Sequence, residues 1–210
     1  SSSQSRSFSR IGVFAVPVLV FFIAAFAYIQ FGFEGTLQQD DAVLMYSAQQ
    51  FARGVPVYSS IWKAKGPVMS MIAGAGAYAA SFLGTNDLFT VRALFLFLSC
   101  LTAVAVYYLG NSLFRSPKIG FLAALIFTGF VGFGKHACSG PRPKTPMLLF
   151  VVLCLWLITR RRWWWAGLFS SLAVLTWQPT GVYVVAALLF AVLWAEKGQE
   201  RWQNLLKCVA

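Results

Sequence analysis

The sequence predicts an all-α integral membrane protein, a polytopic helical bundle with an amphipathic helix in its first external loop. Three observations predict it. Of the 210 residues, 59% are hydrophobic and 17% aromatic while only 11% are charged, unlike the balance of a soluble domain. The charged residues bunch into short clusters separated by apolar runs of about 14 to 23 residues, the lengths of bilayer-spanning helices. The 17 basic residues outnumber the 6 acidic ones and give a net charge of +11. They cap the apolar runs instead of forming one stripe, so they orient helices and do not mark nucleic-acid binding. A cytosolic enzyme, a nucleic-acid binder and a disulfide-rich secreted module are thereby excluded.

Six spans are expected, in order Ile11 to Phe33, Ala93 to Phe114, Ile119 to Phe133, Pro146 to Thr159, Trp163 to Trp177 and Pro179 to Trp194. Loops rich in Lys and Arg face the cytoplasm, and here these are Arg6 with Arg10, Arg115 with Lys118, Arg160-Arg161-Arg162, and Lys197 with Arg201. They fall at every second loop provided that a further apolar stretch, Pro67 to Leu83, does not cross. That stretch is dominated by Ala, Gly and Ser and makes a weak span, so it reads as an interfacial or re-entrant helix in which Gly74-Ala75-Gly76 permits close packing. The whole chain, 1–210, is expected to be a single membrane domain with a large external segment from Glu34 to Arg92. A second external loop runs from Gly134 to Thr145, and a short third one lies around Gln178. Trp62, Trp163, Trp164, Trp165, Trp177, Trp194 and Trp202 sit near span ends as interface anchors, with Trp177, beside Gln178 on the external face, the one candidate for a further role. Cys100, Cys138, Cys154 and Cys208 show no CxxC spacing and read as packing residues. Leu205 to Ala210 reads as the first turns of another helix, so the sequence is expected to be a piece of a longer protein.

In the first external segment, Asp40 and Asp41 open a helix that ends at Gly54 and Pro56. Val43, Leu44, Ala48, Phe51 and Ala52 are expected on its apolar face, against the interface. An acidic pair in a first turn caps a helix and is favoured by its dipole. It also holds a carboxylate at the water–membrane boundary, where a general base can reach a soluble acceptor and a lipid head together. Cations gather on the same face: Lys63, Lys65 and Arg92, then Lys135, His136, Arg142 and Lys144. Such a set binds a lipid-linked phosphate and neutralises its charge as it leaves, or simply attracts anionic head groups. With His136 the only histidine, no histidine metal cluster can form, and neither GxxxxGK[ST] nor GxGxxG occurs.

The run from Asp40 to Pro67 resembles the first external loop of GT-C glycosyltransferases of the protein O-mannosyltransferase and lipid A aminoarabinose transferase type. The order of features carries the resemblance: Asp40-Asp41, a short helix, the turn Arg53-Gly54-Val55-Pro56-Val57-Tyr58, and Lys65-Gly66-Pro67 before an apolar segment. Asp87 to Arg92 and Ala166 to Pro179 are similar more loosely. The resemblance implies a GT-C-like N-terminal module in a multi-pass membrane (bacterial inner membrane or equivalent) with an external active face. It implies transfer of a sugar from a polyprenyl-phosphate donor, with Asp40 as the catalytic base, Asp41 as its acidic neighbour and Lys65 facing the donor phosphate. Lys63, Arg142, Lys144 and His136 complete the expected phosphate-binding set. Ser59 and Ser60 stand where the family often has an acid, the second external loop lacks one, and Trp177 stands where lysine is common. A divalent cation therefore finds few of the oxygen ligands it needs, and no metal site is expected. Expected partners are membrane lipids and the lipid-linked donor, with protein subunits in the alternative reading: a non-catalytic GT-C-like subunit or scaffold of a larger membrane complex.

Overall fold

The computed structural model describes residues 2–33, 37, 39–56 and 66–195. Regular structure among them is entirely helical: α1 (Ser2–Ile29), α2 (Gln39–Ala52), α3 (Pro67–Leu83), α4 (Asp87–Phe114), α5 (Pro117–Thr128), α6 (Val131–Ala137), α7 (Lys144–Thr159), α8 (Trp163–Thr176) and α9 (Thr180–Ala195). Local chemistry sets several of the ends. Asn86 Oδ1 accepts from the backbone N–H groups of Leu88 and Phe89 at the start of α4, and Ser116 with Pro117 opens α5. At the end of α2, Gly54 takes the left-handed conformation (φ +83°), with its N–H on Phe51 O and the Val55 N–H on Gln50 O. That is the paired bonding of a Schellman cap, so the glycine of the Gly-x-Pro turn is required by helix termination.

Among the described residues α4 alone is long and apolar enough to cross a membrane; α5 and α6 pass the same test together, bent by 70° at their break. The remaining apolar helices are shorter: Ala15–Ile29, Pro67–Leu83, Lys144–Thr159 and Thr180–Leu189. Large apolar side chains nonetheless face outward all round the bundle, among them Phe26, Phe82, Ile126 and Val182, each more than two-thirds exposed.

Helix α4 is the axis, touching α1, α3, α5 and α7. Small residues set how closely its neighbours approach. A Cβ on Gly120 of α5 would lie 2.6 Å from the Tyr107 carbonyl, and Gly76 of α3 rests against Val91 and Leu94. Gly74 lies under the Phe51 ring of α2, so the small residues of α3 do permit close packing on both sides. Tyr28, Cys100 and Cys138 are buried in the α1–α4–α6 core, and Cys154 in the α7–α8–α9 core; none of these three cysteines forms a disulfide. Cys208 lies outside the described residues.

The helix ends sort into two groups. Trp156 Nε1 donates to Ser112 Oγ, which brings together the C-terminal ends of α7 and α4, hence Arg160-Arg161-Arg162 and Arg115 with Lys118. At about 1.5 Å per residue, the 28 residues of α4 separate that end from the other by roughly 40 Å. At the other end, the close of α1, the start of α4, α6 and the start of α7 converge. Both ends of α3 lie in this second group. Gly66, just before α3, packs on the end of α8, and Gly84, Thr85 and Asn86 lead directly into α4.

Helix α2 departs in one respect from its expected amphipathic face. Its buried residues are Asp41, Leu44, Met45, Ser47 and Ala48, while Val43 is exposed. The expected stripe assumed a helix lying on a flat interface. Instead α2 packs against α3, with Ser47 Oγ hydrogen-bonded to Ser70 Oγ at 3.2 Å, and this rotates the buried stripe toward Asp41.

Candidate functional site

The convergence of helix ends encloses a cleft of about 500 Å³, lined by Gln39, Asp40, Asp41, Arg142, Pro143, Lys144 and Trp177. Three separate stretches of chain build it. The first turn of α2 supplies the acids, the segment leading into α7 supplies the cations, and the residue following α8 supplies the indole. Its size falls within the range of about 300–1,000 Å³ common for small-ligand sites.

The two aspartates sit in unlike surroundings. Asp41 is 3% exposed, and its Oδ2 accepts from Arg142 Nε at 2.9 Å, a charge-assisted pair joining α2 to the start of α7. Asp40, one residue earlier and so about 100° around the helix, is exposed and faces the cleft. Sequence placed both acids with the cations, and the structure adds that Asp41 is engaged in an ion pair while Asp40 is presented to the cavity.

The cations divide in the same way. Arg142 is held by Asp41. Lys144, at the first position of α7, is exposed, and its ammonium lies over the Trp177 ring, 5.6 Å from the centroid. His136, near the end of α6, is half-buried. Its pKa is lowered from the ordinary value of 6.5, first by burial and then by the positive charge of Arg142; Asp41 partly offsets this, and Lys144 and Lys135 add to it. The shift favours the uncharged imidazole, which makes His136 a weaker cation than its ordinary value would. Because the fold favours the neutral form, the stability it contributes is present above the unfolded value and is lost as pH falls through it. As the sole histidine it can be followed directly. In an NMR titration of the labelled protein its midpoint is expected below 6.5; a midpoint at or above that value would contradict the burial and charge seen here. Lys63 and Lys65 lie outside the described residues.

Arg92 is placed on this face as expected, but it does not line the cleft. It is 5% exposed, donating Nε to Ser139 O at 3.2 Å and Nη1 to Phe33 O. It pins the exit of α1 and the loop after α6 to the first turns of α4. Gly66 is a second framework residue: a Cβ there would fall 1.7 Å from the Leu175 carbonyl, so only glycine lets the chain entering α3 lie on the end of α8. Among the described residues no three His, Cys, Asp or Glu side chains gather in a way that could hold a metal ion.

Residues 65–210, the greater part of the chain, match the family described as dolichyl-phosphate-mannose-protein mannosyltransferase. The class is thus the GT-C type of glycosyltransferase, proteins associated with membranes and lipid-linked sugar donors. The chain belongs to the dolichyl-phosphate-mannose-protein mannosyltransferase family. The match leaves α1 and the acidic turn of α2 outside its bounds. Neither a curated protein nor a solved structure matches the chain.

Proposed function

We propose that the protein is a multi-pass membrane glycosyltransferase that moves a sugar from a polyprenyl-phosphate donor to an acceptor hydroxyl, with Asp40 as general base. The observation that carries this reading is the cleft itself. An exposed carboxylate, Asp40, and an exposed ammonium, Lys144, both line it, at the bundle end away from Arg115, Lys118 and the three arginines. By the charge rule that basic end is cytoplasmic, which puts the cleft on the outer face. The outward-facing phenylalanines and aliphatic side chains support a bundle surrounded by lipid, and an α3 that starts and ends at one end of it supports six crossings with α2 and α3 at the interface.

In the reaction the acceptor O–H gives its proton to Asp40, and the acceptor oxygen bonds to the anomeric carbon from the face opposite the phosphate. The bond from that carbon to the phosphate oxygen breaks, and the electron pair leaves on the polyprenyl phosphate. Inversion follows from this single displacement. Cations at the cleft offset the charge that grows on the leaving oxygen. Asp41 fixes the helix that carries Asp40. A silent scaffold has less support, because Asp40 opens into a cavity of ligand size instead of being buried.

Reconstituted in liposomes with a polyprenyl-phosphate sugar labelled in the sugar, the protein is expected to release free polyprenyl phosphate when hydroxyl acceptors such as Ser/Thr peptides or lipid-linked glycans are added. Failure to release it with every acceptor class would overturn the reading.

A further inference from the structure

The cleft contains an arrangement that assigns different work to its two described cations. Arg142 and Lys144 are separated by one proline and both line the cavity. Arg142 is drawn back into the wall by Asp41 and is only 17% exposed at its side chain. Lys144 is exposed, and among the described residues no carboxylate holds it; its ammonium rests over the Trp177 indole. A lysine at the first position of a helix sits at the positive end of the helix dipole, where its own charge is disfavoured. An anion in the cleft relieves that repulsion. Lysine is also a flexible point charge on a long stem, and a ring face beneath the ammonium limits where it can go.

We propose that Trp177 is the positioning residue of a phosphate subsite: its ring fixes the Lys144 ammonium toward the cleft, while Arg142 serves the wall and not the ligand. The ligand class is a phosphate monoester or diester carrying an apolar tail. This rests on the glycosyltransferase reading and refines its donor site. Trp177 has the geometry for the task, because α8 ends at Thr176 and the extended backbone at Trp177 (φ −150°, ψ 104°) turns the chain from α8 into the cleft wall before α9 begins.

The test is the binding of farnesyl phosphate to the full chain in detergent, with farnesol as the probe that lacks the charge. Lys144→Gln is expected to weaken farnesyl phosphate about tenfold, in the range for loss of one charge-assisted contact. Trp177→Leu is expected to weaken it severalfold, and Trp177→Phe, which keeps a ring face, to recover most of the loss. Farnesol affinity should be unchanged in all three. The salt dependence of farnesyl phosphate binding should become shallower in Lys144→Gln and Trp177→Leu alike. A merely structural role for Trp177 would instead weaken both probes together. An independent readout needs no variant: farnesyl phosphate, but not farnesol, should protect Lys144 of the unmodified protein from acetylation, as read by mass spectrometry. Wild-type affinity in Lys144→Gln, or no protection, overturns the subsite. If the subsite stands while polyprenyl-phosphate sugars are not turned over, it is the transfer reading that fails, and the two failures are thereby told apart.

Discussion

Replacing Asp40 with Asn is expected to lower the rate of sugar transfer by about 10²- to 10⁴-fold, the span associated with losing a positioned general base. The substitution keeps the shape and one acceptor oxygen, and removes the ability to take the acceptor's proton. Because Asp40 is exposed and asparagine matches its size, the variant should insert and fold as the wild type does. Its affinity for farnesyl phosphate should also be unchanged, since binding the leaving group does not require the base. Turnover and thermal stability measured on the same preparation separate these effects. Wild-type turnover in Asp40→Asn would remove the carboxylate from the mechanism.

Replacing Asp41 with Ala is expected to cost stability, not chemistry alone. Its carboxylate and the Arg142 guanidinium are joined at 2.9 Å with little solvent contact on either side. Removing one partner of such a pair strands the other, a loss of about 3–5 kcal/mol for fully buried pairs, and the lower figure suits a partly exposed arginine. For a chain of this length, a loss of about 3 kcal/mol lowers the apparent melting temperature by roughly 6–12 °C. Arg142→Ala should do similar damage, and the double variant should be less impaired than the two single losses added together, because no uncompensated charge is left. Strict additivity across the cycle would mean that the two side chains do not support one another.

How far these features could be read from sequence follows from the distances over which they act. Helix limits are local, so Gly54 marks in sequence the end of α2, whereas the spans expected from Ala93 and Ile119 begin earlier, at Asp87 and Pro117, where Asn86 and Ser116 cap them. The alternation of basic clusters depends on spacing along the chain, and two of the four clusters, Arg115 with Lys118 and Arg160-Arg161-Arg162, lie together at one end of the bundle; Lys197 and Arg201 lie outside the described residues. The acids and cations of the cleft were legible as residue types on one face. Their division of labour was not, because Asp41 and Arg142 are 101 residues apart and periodicity carries no information across such a gap. The stripe on α2 was misplaced at Val43 for the same reason: the partner that defines the buried face is α3, which only the fold brings there. Arg92 left a fainter signal, a charge well inside the first turns of an apolar helix, where a buried and fully bonded role is the usual explanation.

The Arg92 contacts bear on how the surrounding bilayer acts on this protein. One guanidinium grips carbonyls from two separate connections while its own backbone belongs to the longest apolar helix. Such a helix answers a change in hydrocarbon thickness by tilting. Any tilt at α4 is passed straight to residues 33 and 139, three positions from Arg142. Under the glycosyltransferase reading proposed above, lipids of different chain length are therefore expected to tune turnover through α4 without touching a reacting atom.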